Sequence, residues 1–252
     1  MADGNASAAD AASAEIPAEA DGAPSPVALL FAPDRGMARQ AAAGRARWYF
    51  LFAWLASMLL GAALAYRVDA RASTLQRLDK SEQLTSMSDR QVADETKSDE
   101  RVFVVKTIAK RVVGPPLELG MTCVALFAMS WFLRGRIKGS AVAPVAGAVL
   151  LPNALATLLD AASAMRHAMV PPEGVPLSPR TVTDVLRLLG HAPQGPWFKL
   201  GDAFDAFSLW SAVLFGFGLA AAAHLPRRRA ITGALVAWVC YRLLTHVAAG
   251  GG

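Results

Sequence analysis

Between Asp205 and His224 the chain runs for about 20 residues without a charge, the length an α-helix needs to cross the hydrocarbon core of a bilayer. A helix apolar on every side must lie inside a large core or in lipid. Four more runs, at 48–66, 117–133, 141–162 and 230–248, repeat the pattern, so the 205–224 run is the fourth of five. With 54% hydrophobic residues, 18% charged and mean hydropathy +0.34, the chain is too apolar for a water-soluble domain of 252 residues. The expected fold is an all-α membrane protein, a five-transmembrane-helix bundle.

The runs carry packing detail. Ala212, Gly216 and Ala220 form a small-residue face on which another membrane helix can approach closely, as do Ser57 and Gly61 in the first span. Trp48 and Tyr66 sit at the ends of that span, where interfacial rings are expected. The third span holds Pro144, Pro152 and Asn153; a proline there removes a backbone bond and kinks the helix. Asn153 either bonds across to a neighbouring helix or lines a substrate path. Cys123 and Cys240 fall in apolar runs and read as small hydrophobes.

Between the spans the chain turns polar. Residues 1–32 read as a disordered acidic tail, with Asp3, Asp10, Glu15, Glu19, Asp21 and no base before position 27. That start lacks a basic segment followed by a short apolar core, so a cleaved secretory signal is not expected. The basic stretch 33–47 is either an orientation signal or a helix lying at the headgroups. Residues 67–112 form a helical insert, expected as an extramembrane hairpin whose second arm starts at a capping box (Ser88, Gln91) and ends before Gly114-Pro115-Pro116. Val102, Val105, Ile108 and Val112 share a face of that arm, for internal packing or for a partner. The polar connector 166–204 has an irregular proline-rich start, then an amphipathic helix at 181–189 capped by Thr181 or Thr183.

Basic residues set the threading. Arg35, Arg39, Arg45 and Arg47 precede the first span, Arg134, Arg136 and Lys138 join the second to the third, and Arg227–Arg229 join the fourth to the fifth. Five spans put all three groups on one side, so the amino terminus is expected in the cytoplasm and the carboxyl terminus outside. Orientation signals also account for the pI of about 9.6 without nucleic acid as a partner.

Five ionisable residues lie within or at the edges of the apolar runs: Glu118, Asp160, Asp205, Arg242 and His246. Such groups are rare in lipid and usually face the bundle or a wet cavity. The threading sets them at comparable depth, and Arg242 is expected to pair with Asp160 or Asp205, His246 lining the same region. Two alternatives stand beside this polar cluster: carboxylates placed at helix N-termini by the helix dipole, and an ion or proton path. No nucleophile elbow, metal-binding helix motif or phosphate loop is present, so neither an enzyme nor a cofactor site is expected.

Asp205, Phe207, Trp210 and Gly218 in the fourth span resemble the signature of the Yip-domain family, five-span integral membrane proteins named for contacts with Ypt/Rab GTPases. The resemblance covers 33–249, with Pro33 before the first span and Pro152 in the third. The spans and the hairpin suit a non-enzymatic accessory or scaffold subunit of a membrane assembly, acting by helix–helix and hairpin contacts; the resemblance also implies a role in membrane organisation or trafficking. The alternative is a transporter subunit using Asn153 and the Asp160/Asp205/Arg242 region. The Ala/Arg-rich composition suits a bacterial inner membrane, with an ER or Golgi membrane as the alternative. Expected partners are the bilayer and other membrane proteins; the oligomeric state is open.

Overall fold

The computed structural model describes residues 24–43, 47–67, 70–80, 87–166, 180–181, 184, 186, 189–190 and 204–250. These are helical apart from short links and an isolated antiparallel bridge between Thr181 and Asp205. Four stretches are long and apolar enough to cross a membrane: Arg47–Arg67, Asp89–Phe132, Gly139–Arg166 and Ala206–Ala223. The protein is therefore membrane-integral. The run expected as a fifth span lies in a helix, Arg227–Gly250, that is not among those four; it opens on three arginines and carries Arg242 in its interior.

In chain order the helices are α1 (Pro26–Phe31), α2 (Pro33–Ala43), α3 (Arg47–Arg67), α4 (Ala70–Lys80), α5 (Asp89–Phe132), α6 (Gly139–Val149), α7 (Leu151–Arg166), α8 (Ala206–Ala223) and α9 (Arg227–Gly250). The central helix is α8, which packs against α2, α6, α7 and α9, while α3 packs against α5 and α7. Small residues set these spacings. A Cβ on Gly216 would stand 2.7 Å from the Cα of Ile231 in α9, and one on Gly218 would run into Val145 of α6.

Part of the stretch expected to be disordered is folded. Pro26 occupies the first turn of α1, Ser25 Oγ accepts from the Ala28 amide at 3.2 Å, and Leu29 is fully buried against Gly36 of α2. Burying Leu29 stabilises that turn by about 2 kcal/mol, which a purely acidic tail would lack. Residues 1–23 lie outside the described residues. Helix α2 is more than an orientation signal: Met37 and Gln40 are fully buried, Gln40 Nε2 donates to the Pro144 carbonyl at 3.2 Å, and Arg35 and Arg39 stay exposed.

The expected break at Gly114-Pro115-Pro116 does not occur. Helix α5 runs unbroken for 44 residues, about 66 Å, some twice the thickness of a hydrocarbon core. Pro115 and Pro116 have no amide hydrogen, so the carbonyls four residues earlier, on Arg111 and Val112, lose their helical donors. Helix α3 replaces them. Ser57 Oγ donates to the Arg111 carbonyl at 3.1 Å and Trp54 Nε1 to the Val112 carbonyl at 3.0 Å. Gly61, one turn beyond Ser57, lets the Arg111 side chain lie against α3, 3.0 Å from where a Cβ would be.

The first half of α5 lies beyond the bundle, with α4 against it. Arg77 donates to Glu95 at 2.9 Å and Asp99 at 2.8 Å, Thr74 and Leu78 are buried, and the Ser88/Gln91 capping box is formed. The two carboxylates hold the Arg77 guanidinium above its usual range. Of the expected stripe, Val102, Val105 and Ile108 are exposed, while Val112 is half-buried beside α3.

The third apolar run is two helices meeting at Leu150. The Leu150 amide turns to the Gly147 carbonyl at 3.3 Å, and α7 starts at Leu151 with Pro152 in its first turn. Proline in a first turn costs no amide bond, so the break sits where Pro152 is tolerated best.

Candidate functional site

Four charged groups close one end of the bundle, away from the basic links. Asp205 caps α8: one carboxylate oxygen accepts from the Phe207 amide at 2.9 Å. The other faces Arg242 of α9 at 3.3 Å. Both the dipole placement and the ion pair are therefore present in one side chain. The Arg242 guanidinium also lies 6.0 Å above the Trp238 ring, which tilts against Phe204 at 5.5 Å.

Asp160 of α7 takes a different partner from the one expected. Arg180, in the connector, pairs with it and donates to the Ala156 carbonyl at 3.1 Å. The segment carrying Arg180 is fixed twice. Thr181 and Asp184 exchange capping bonds of 3.1 Å, so Thr181 is the cap, and the Ala206 amide donates to the Arg180 carbonyl at 3.2 Å. Backbone thus joins the Asp160–Arg180 pair to the Asp205–Arg242 pair. Arg111 of α5 adds a further positive charge near Asp160 and Glu118.

The side chains of both pairs are 15–28% exposed, enough shielding for each to exceed a surface salt bridge yet not a dry interior. A double-mutant cycle of Arg242→Gln and Asp205→Asn is expected to give a coupling of about 1 kcal/mol in thermal unfolding, since Asn keeps the cap and loses only the charge. Additive effects would show that the two charges do not stabilise one another.

The other expected site residues divide. Glu118 is exposed on α5, and its electrostatic neighbour is Arg111, two turns earlier on the same helix face. The His246 side chain falls outside the described residues. Pro152 is buried at the α6–α7 break, and Asn153 is half-buried, its backbone carbonyl accepting from Thr157 Oγ1 at 2.7 Å. Of the motif residues, Asp205 caps and pairs, Phe207 supplies the capped amide, Trp210 packs on the main core and Gly218 admits Val145. All four act in holding α8 in place.

Sequence reading missed Arg180, Asp184 and Arg111. The Thr-x-x-Asp spacing at 181–184 was a visible cap signal, but a lone arginine after Pro179 carried nothing to mark it as a partner for Asp160. Among the described residues no group of three His, Cys, Asp or Glu side chains could hold a metal. Compared with protein-family models, curated proteins and solved structures, the chain matches none.

Proposed function

We propose that this is a non-enzymatic scaffold or accessory subunit of a membrane assembly, of the Yip-like type, acting through its charged helical arm. The observation that carries the reading is the stripe of Val102, Val105 and Ile108, left exposed on the part of α5 that extends past the bundle. An isolated two-helix arm gains little from a valine stripe in water, whereas a partner helix would bury it. In this reading α4 and the first half of α5 form the extramembrane hairpin and α9 crosses as a fifth span. The amino terminus is cytoplasmic, the carboxyl terminus outside, and the membrane is the bacterial inner membrane.

Copurification in a gentle detergent at native expression tests it. A stable partner should be retained by the wild-type chain and lost with Val102→Glu/Val105→Glu while the thermal unfolding of the bundle is unchanged. Equal retention by the variant would end the arm's role.

The second reading, a transporter subunit, draws on the break at Leu150, which sets Asn153 in the first turn of α7 as discontinuous transporter helices do. Closure of Asp160 by Arg180 and of Asp205 by Arg242 favours structural pairs over a permeation path. Substrate-dependent flux in vesicles that Asn153→Leu abolishes would reverse that preference.

A further inference from the structure

We infer that the basic end of the bundle is a binding surface for the phosphate headgroups of anionic phospholipids. Three segments distant in sequence bring exposed cations there: Arg35 and Arg39 on α2, the link 134–138, and the run 227–229 that opens α9. Within those segments Asp34 is the one carboxylate, and Arg227 holds it at 3.3 Å. At the far end the described cations stand among Glu118, Asp160 and Asp205, and Arg180 and Arg242 are each held by a carboxylate.

The cations stand on fixed backbone rather than on loose loops. The Arg136 and Lys138 amides donate to the Ala223 and Ala222 carbonyls at 3.3 Å each, and Gly135 packs so closely on Leu225 that a Cβ there would lie 3.0 Å from its Cγ. Arg134 holds φ at 58°, a left-handed conformation that L side chains avoid, with its side chain exposed. A rigid frame lowers the cost of ordering a ligand against it.

Exposed aromatic rings choose lipid over a soluble polyanion. Trp48 is 72% exposed, Trp131 83% and Phe132 74%, all at the helix ends that carry the cations. Such rings mark the boundary between hydrocarbon and headgroups, which puts the arginines at the depth of lipid phosphates. Acyl chains would lie along the open apolar surface of α5, where Met121 and Val124 are exposed.

Native mass spectrometry of the full chain in detergent, titrated with phosphatidylglycerol, cardiolipin and phosphatidylcholine, tests this without depending on threading. A basic residue near an anionic surface is worth about fivefold in affinity. The anionic lipids should therefore bind at least tenfold tighter than phosphatidylcholine. Arg134→Asn/Arg136→Gln/Lys138→Gln should lose about tenfold or more of that with thermal unfolding retained, because Asn tolerates the left-handed turn. Arg228→Gln/Arg229→Gln gives the same readout if the triple variant fails to fold. Equal affinity for anionic and zwitterionic lipids would overturn the inference. So would an equal loss in Lys106→Gln/Lys110→Gln on the arm, or tighter binding of a single-stranded oligonucleotide than of either anionic lipid.

Discussion

Replacing Gly216 by alanine is expected to destabilise the bundle, and replacing it by valine to prevent α8 and α9 from packing. Alanine gains about 1 kcal/mol of helix propensity over glycine. Against that, the new Cβ would stand 2.7 Å from the Ile231 Cα, a backbone atom that cannot rotate away. Overpacking of this kind costs about 1–3 kcal/mol, so the clash wins even for one methyl group. Valine adds two more carbons to the same contact. Gly120→Ala is the internal control, because nothing lies within 4 Å of a Cβ there and only the propensity term remains. Thermal unfolding in detergent should rank Gly120→Ala at or above wild type, Gly216→Ala below it and Gly216→Val lowest. If both alanine variants behave alike, the close crossing of α8 and α9 is wrong.

The second large effect lies where α5 passes its paired prolines. Trp54→Phe/Ser57→Ala should leave the Arg111 and Val112 carbonyls without donors in a partly buried region. Each such group costs about 1–3 kcal/mol, nearer 1 in a membrane, where unfolded helices also find partners. The decisive arm is a rescue. Pro115→Ala returns an amide hydrogen to the Arg111 carbonyl, so Ser57→Ala should cost about 1 kcal/mol in the wild-type background and close to nothing beside Pro115→Ala. An unchanged cost would mean that Ser57 acts through packing alone.

These two sites show which parts of the fold were readable in the residues. The apolar runs were legible because lipid demands about 20 consecutive apolar positions and leaves little choice of fold. The cap at Ser88 and Gln91 was legible too, since both partners lie within one turn. Gly114-Pro115-Pro116 read as a helix end because its local rule is correct. What overrides it comes from Trp54 and Ser57, 58 and 54 positions before the Val112 and Arg111 carbonyls they bond, and no local pattern announces them. Asp160 shows the same limit: its charge was flagged, yet its partner Arg180 arrives on a connector that proline had marked as irregular. Leu29 is the converse case, one residue of a short apolar run beside an acidic tail that finds a place against α2.

If α9 crosses with the other four spans, as proposed, the cations of α2, the 134–138 link and 227–229 share one face of the membrane. Reporter tags on the two ends, read by protease protection in sealed vesicles, test it most directly. Five crossings predict that the amino-terminal tag is accessible from the cytoplasmic compartment and the carboxyl-terminal tag from the opposite one. Both tags in a single compartment would contradict it, because an even number of crossings would leave α9 outside the bilayer and the Asp205–Arg242 pair without its place in the lipid.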